Sequence, residues 1–223
     1  ILTVEFSPDG QHFAVAVEDR SLSVWTVSPF APVWSKRLPS SVTALVFSPS
    51  GTQLAVATAD DGIAILNPLR PKAPQAATLR GNVSAVRALA IDPSGQRLVT
   101  VSDNREVRVW SRGSREGADS RWQVLCRSET QPEYLSAVAF VGTESQLVAI
   151  AGDGRSIRLL NPDTCSPVRE LESPSRDTTV LAASRSGRFL VAGSEDGTIH
   201  VYDVSKSEWK KEPLRGHRDS VIS

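Results

Sequence analysis

Residues 189–217 read FLVAGSEDGTIHVYDVSKSEWKKEPLRGH, and this stretch decides the fold. It holds two short apolar runs separated by a tight Asp196-Gly197 turn, a closing Tyr202-Asp203 pair and, further on, Gly216-His217. Two runs of strand length joined by a short Asp/Gly turn are a β-hairpin signal.

Working outward, the same layout recurs four times upstream. One marker is a turn: Phe6-Ser7-Pro8-Asp9-Gly10, Phe47-Ser48-Pro49-Ser50-Gly51 and Ile91-Asp92-Pro93-Ser94-Gly95. Proline at the second turn position presets φ, and glycine suits the fourth. Ser184-Arg185-Ser186-Gly187 is a fifth copy, and Val141-Gly142-Thr143-Glu144 a drifted fourth without the proline. The second marker, about ten residues later, aligns Asp19, Asp60, Asn104, Asp153 and Asp196, at separations of 41, 44, 49 and 43 residues. The third closes the following run: Trp25, Leu66, Trp110, Leu160 and Tyr202. Three markers sharing one period define a tandem repeat.

Between markers, Val15-Ala16-Val17, Leu54-Ala55-Val56-Ala57, Leu98-Val99-Thr100-Val101, Leu147-Val148-Ala149-Ile150 and Leu190-Val191-Ala192 are apolar at consecutive positions. That pattern predicts strands buried on both faces. No long stretch carries the 3.6-residue period of a helix, so the chain reads as all-β.

The unit resembles the WD40 repeat, a 40–45-residue module whose four antiparallel strands form one β-propeller blade. Gly193-Ser194-Glu195-Asp196-Gly197, Tyr202-Asp203 and Gly216-His217-Arg218-Asp219 carry the resemblance best, while Trp25-Thr26 and Trp110-Ser111 keep the tryptophan and lose the aspartate. In this frame the five blades run 1–40, 41–82, 83–128, 129–174 and 175–217, with 218–223 starting a sixth. Outermost strands are expected near Val33-Trp34, Ala77-Thr78-Leu79, Trp122-Gln123-Val124-Leu125, Val168-Arg169-Glu170-Leu171 and Glu212-Pro213-Leu214, and exposed, mobile loops at 67–75 and 111–121. Val221 aligns with Ile1, the first residue, and the chain contains no methionine. A segment of a larger ring with further blades is therefore expected.

The resemblance implies structural roles for Asp19, Asp60, Asp153 and Asp196 at the turn, Trp25 and Trp110 on the strand and His217 in the loop. In the family a loop histidine, a strand Ser or Thr, the turn aspartate and the tryptophan often form one hydrogen-bonded set. Here only His217 matches the histidine, and it leads into the sixth unit. No complete set is expected, which leaves more of the stabilisation to packing.

Composition narrows function. Of 223 residues, 25 are basic and 25 acidic, so net charge is zero. That argues against a generic nucleic-acid binder or a polybasic membrane binder. The longest apolar runs are about five residues, against the roughly 20 needed to span a bilayer, and no signal-peptide pattern opens the chain. Cys126 and Cys165 are too few for a disulfide framework in a domain this large, so two reduced thiols in a cytoplasmic protein are expected.

Chemistry is thinly represented. His12, His200 and His217 occupy different repeat positions, with His200 expected as a packed or surface residue. No His/Cys cluster has zinc-ligand spacing, no phosphate loop precedes a helix, and Ser186-Gly187 sits in a β-turn rather than a nucleophile elbow. No catalytic residue, cofactor or metal is expected.

One surface pattern stands out. Arg20, Arg105 and Arg155 lie in second-marker turns, and Arg80, Arg176 and Arg218 lie between blades on the same expected face. Guanidinium forks suit carboxylates, so this rim is a candidate dock for an acidic protein segment, although Asp61, Asp103, Asp177, Glu195 and Asp219 share the face. Trp34, Trp122 and Trp209 fall in or near outer strands, either as edge cover or as anchors for a partner. The expected function is a non-catalytic protein–protein interaction scaffold. The alternative is a ligand-sensing or regulatory module controlling a fused kinase, NTPase or protease domain.

Overall fold

Each proline-marked turn closes a hairpin in the computed structural model, which describes residues 1–60, 62–70, 77–79, 81, 84–113, 122–142, 147–173, 175 and 177–222. Arg80, Arg176 and Asp61 lie outside the described residues, as do positions 71–75 and 114–121 of the two expected loops and 143–144 of the drifted turn.

The strands form five four-stranded antiparallel sheets, each in sequence order. The first holds β1 (Thr3–Phe6), β2 (His12–Ala16), β3 (Ser21–Thr26) and β4 (Ala31–Arg37). The second holds β5 (Val42–Phe47), β6 (Leu54–Thr58), β7 (Ile63–Leu66) and β8 (Ala77–Leu79). The third holds β9 (Val86–Ile91), β10 (Arg97–Ser102), β11 (Val107–Arg112) and β12 (Trp122–Arg127). The fourth holds β13 (Leu135–Val141), β14 (Leu147–Gly152), β15 (Ser156–Leu160) and β16 (Pro167–Glu172). The fifth holds β17 (Thr178–Ala183), β18 (Phe189–Ser194), β19 (Ile199–Asp203) and β20 (Glu208–Trp209). Among the described residues there is no helix, and hence none long and apolar enough to cross a membrane.

Local chemistry explains the first hairpins. In four blades the fourth turn residue donates its N–H to the first: Gly10 to Ser7, Gly51 to Ser48, Gly95 to Asp92 and Gly187 to Ser184, at 2.8–2.9 Å. Those glycines sit at φ of +67 to +71°, the left-handed conformation that costs a residue with a Cβ. The first residue's side chain then accepts the N–H five positions on, as Ser7 does from His12 and Asp92 from Arg97.

Blades stack through β1, β5, β9, β13 and β17, which touch in that order along the inner edge. Each seam has its own apolar cluster. Leu22, Val24, Leu45 and Leu54 fill the first, and Ile63, Ile65, Leu98 and Trp110 the second. Val99, Val109, Val138 and Ile150 fill the third, and Leu159, Leu181, Leu190 and Tyr202 the fourth. The middle strands are consequently buried on both faces, as β6 and β10 show along nearly their whole length.

Among the described residues no sheet packs on the outward face of blade one. There Phe6 and Phe30 are 61% and 71% exposed, and Trp25 stacks on Phe30 with ring centroids 5.2 Å apart. On blade five, Val221 donates its N–H to the Ser194 carbonyl, and its side chain lies over Gly193.

Two expectations are corrected. The outermost strand of blade five is Glu208–Trp209, paired with Asp203 and Tyr202, while Leu214 makes only an isolated bridge to Ile199. Pro213 has no N–H to extend a ladder, and the Trp209 ring packs 5.1 Å from Tyr202. The cysteines are not two free thiols: Cys126 on β12 and Cys165 after β15 form a disulfide, with Cα atoms 5.7 Å apart. Counting cysteines says nothing of two residues 39 positions apart that the stacking of blades three and four brings into register.

Candidate functional site

Five residues lie between the last paired or level residues of the second and third strands in every blade, and strand pairing fixes their equivalence. The last pairs before this turn are Ala16 with Leu22, Ala57 with Ile63, Val101 with Val107 and Gly193 with Ile199. Blade four pairs Ile150 with Arg158, which puts Ala151 level with Ile157. The fourth turn position is then Arg20, Asp61, Arg105, Arg155 and Gly197, so the three rim arginines are equivalent residues of blades one, three and four.

At the third position the register gives Asp19, Asp60, Asn104, Gly154 and Asp196. Asp153 falls one residue earlier than the repeat alignment placed it. Asp19 and Asp196 accept the N–H two residues on, from Ser21 and Thr198, both at 2.9 Å. Asp153 instead accepts the N–H of Tyr134 at 2.8 Å, tying its turn to the start of the inner strand. The second position is Glu18, Ala59, Asp103, Asp153 and Glu195, acidic in four blades out of five.

These two positions divide the face. Arg20 and Arg105 adopt left-handed φ of 72° and 63° and each donates from Nη1 to a loop carbonyl, of Pro39 and Pro132, at 3.1 Å. Arg105 also lies over the exposed Tyr134 ring. Beside them, Asp103, Asp153, Asp177 and Glu195 line a cavity of about 860 Å³ at the ends of the inner strands. Arg87 reaches into it and pairs with Asp103. Arg218 is exposed, as is His217.

Blade five contains a polar set that the family pattern did not reveal. Ser175 Oγ lies 3.1 Å from Asp196 Oδ2 and 3.0 Å from His200 Nε2, and Thr198 donates to Asp196 Oδ1. The carboxylate only accepts, so the Ser175 hydroxyl donates to Asp196, leaving its oxygen for the imidazole N–H. That polarity is the reverse of a base activating a nucleophile. Burial, with Arg215 adding to it and Asp196 opposing, holds His200 below the ordinary histidine range. Hydrogen bonds from Thr198 and Ser175 hold Asp196 low despite some desolvation. His200 is therefore a buried residue bonded within this set. The signal was available: His200 and Tyr202 alternate on one face of β19, and Thr198, just before the strand, continues that spacing.

Other blades satisfy the same region differently. Trp110 Nε1 donates to Thr100 at 3.2 Å and Trp25 Nε1 to Ser23 at 2.9 Å. At the strand position of His200, blade three carries Arg108, bonded to Glu106, and blade four carries Arg158, forked onto Glu133. Asp203, fully buried, accepts from Arg188 and Ser205, and the Arg188 bond above all holds it well below the carboxylate range. Among the described residues no group of His, Cys, Asp and Glu is placed to hold a metal ion.

Comparison with known proteins agrees with this geometry. The family model "WD domain, G-beta repeat" matches residues 1–26, 34–66, 74–111 and 165–203, more than half of the chain. The chain is 26% identical to cell division cycle 20.1, cofactor of APC complex, from Arabidopsis thaliana, over 100% of its own length and 49% of that protein's. It is 27% identical to the periodic tryptophan protein 2 homolog of Dictyostelium discoideum, covering 99% of the chain and 24% of the relative. To apoptotic protease-activating factor 1 of Danio rerio it is 26% identical, covering 78% of the chain and 13% of that protein. The chain thus spans half or less of these relatives. It belongs to the WD40 repeat family.

Proposed function

We propose that this chain is a non-catalytic protein–protein interaction scaffold that docks partners on the face carrying Arg20, Arg105 and Arg155. The observation that carries this reading is the equivalence of the three arginines: one turn position, repeated in three blades of a stacked array. A guanidinium has five N–H donors, so a single bond to a loop carbonyl orients Arg20 and Arg105 and leaves donors for a partner's carboxylates. The adjoining carboxylates bias the partner toward one that places acidic groups over the arginines and keeps them away from Asp153 and Glu195. The similarity to a protein named as a cofactor of a complex supports the scaffold reading.

Crosslinking and mass spectrometry identify the partner, and the R20E/R105E/R155E variant tests the face. The proposal expects binding to fall at least about tenfold, with a shallower salt dependence, because like charges then oppose. Unchanged affinity removes this face from the interaction.

A second reading is a regulatory module controlling a fused kinase, NTPase or protease domain. It draws on the similarity to a protein named as a protease-activating factor. An assay of the attached domain with and without this segment separates the two readings: a change in basal activity favours regulation.

A further inference from the structure

The outer rims of neighbouring blades splay apart, so each seam needs its own tie there. At the first seam Trp34 donates its indole N–H to the Pro68 carbonyl at 2.7 Å. At the second, Trp122 packs on the cluster shared by blades two and three. At the fourth, Trp209 donates to the Glu172 carbonyl at 3.0 Å. The third seam has the Cys126–Cys165 disulfide in the corresponding place. Among the described residues it is the one rim tie that a chemical signal can open and re-form.

We propose that this disulfide is a thiol-responsive clamp that fixes the turn between β15 and β16 on blade three. The turn has internal order: Asn161 Oδ1 accepts the N–H groups of Asp163 and Thr164, and Cys165 donates its N–H to the Asn161 carbonyl at 2.8 Å. Among the described residues the Arg97–Asp163 ion pair at 2.8 Å also ties the turn to blade three, but its partly exposed groups contribute little. Beside the bond lies a groove of about 740 Å³, walled by Arg127 and Ser128 from blade three and by Thr164, Cys165, Ser166 and Val168 from blade four. Opening the bond frees one wall of that groove from the other.

Exposure sets the route of exchange. Cys165 is 4% exposed and Cys126 is half-buried, so an incoming thiolate reaches the Cys126 sulfur. A dithiol attacks there, forms a mixed disulfide and releases the Cys165 thiolate, which takes a proton. The dithiol's second sulfur then displaces Cys126 as a thiol and closes its own disulfide. Two electrons and two protons pass from the dithiol to the protein. The reverse reaction, with the oxidised form of the same dithiol class, restores the clamp. A reducing compartment opens it and an oxidising one holds it shut.

The test uses the full chain prepared without reductant and then treated with dithiothreitol or left untreated. Alkylation with N-ethylmaleimide and peptide mass spectrometry should find both cysteines protected before treatment and both labelled after it. Amide hydrogen exchange across 161–167 should then quicken by about tenfold on reduction, with β10 and β14 unchanged. The C126S/C165S variant should match the reduced form and ignore dithiothreitol. Labelling of both cysteines without reductant, or exchange in 161–167 indifferent to reduction, overturns the proposal.

Discussion

The indole N–H of Trp209, in the outermost strand of blade five, donates a 3.0 Å hydrogen bond to the backbone carbonyl of Glu172, in the outermost strand of blade four. Trp34 also ties a seam by an indole–carbonyl bond, from blade one forward to Pro68 in the loop between β7 and β8 of blade two. Both side chains are half-buried against a seam cluster. Each covers a seam at the rim of the blade stack with part of its ring.

Replacing either tryptophan with phenylalanine keeps most of the packing and removes the donor. The W209F and W34F variants should each lose about 1 kcal/mol of stability in urea unfolding. The W209A variant should lose more, because the Tyr202 and His200 contacts go as well. Equal loss in W209F and W209A would show that the hydrogen bond, not the packing, holds the rim.

Acidification should act on two groups, buried His200 and half-buried Glu5, in opposite senses. His200 has a folded pKa below its ordinary value, so the unfolded chain takes the proton first, and stability falls as pH drops through about 6.5. Burial raises Glu5 to about 7, so its contribution is present at low pH and is lost as pH rises through about 7. The H200Q variant should steepen the net gain on going from pH 8 to 5, and E5Q should turn it toward a net loss. Urea midpoints across that range check both signs, and parallel profiles for all three proteins would contradict them.

Gly152 is required by a close approach rather than by its φ. A Cβ there would lie 1.7 Å from the Tyr134 carbonyl oxygen, a backbone atom that cannot yield without moving the inner strand. At Gly10 the φ of +67° is unfavourable for alanine, yet a Cβ meets nothing within 4 Å. G10A should cost about 1 kcal/mol, and G152A about 3 kcal/mol or more. Thermal unfolding of the pair ranks them, and a milder G152A would mean that the blade-four turn relaxes freely.

The forked Arg158–Glu133 pair is mostly shielded, with side-chain exposures of 16% and 29%. The bond from Arg158 above all holds Glu133 below its ordinary carboxylate range. E133Q should cost about 1 kcal/mol at pH 7 and converge on the parent protein only at pH below the ordinary carboxylate range, where the glutamate of the folded protein takes its proton. A double-mutant cycle with R158Q isolates the pair from the separate Arg158–Glu170 contact.

Much of the fold was legible because its signals are local and repeated. Proline and glycine at set turn positions fix hairpins within ten residues, and consecutive apolar residues such as Leu54-Ala55-Val56-Ala57 announce strands covered on both sides. Asp153 was misaligned by one place because Gly152 and Gly154 flank it and either neighbour reads as a turn residue; strand pairing with Arg158 settles it. Leu214 looked like an edge strand from its spacing, but the packing of Trp209 on Tyr202 chose the edge.

The sequence by itself determined five hairpin-built units and their all-β class, and it placed Arg20, Arg105 and Arg155 in turns between second and third strands, since those follow from turn chemistry and period; that the three share one turn position came from strand register. Only the tertiary structure decided which side chains meet across seams. It joined Cys126 to Cys165, gathered Ser175, Asp196, Thr198 and His200, and set Asp103, Asp153 and Glu195 around one mouth. The two cysteines and the cavity carboxylates come from different blades, and nothing in their local sequence records the angle at which one blade stacks on the next.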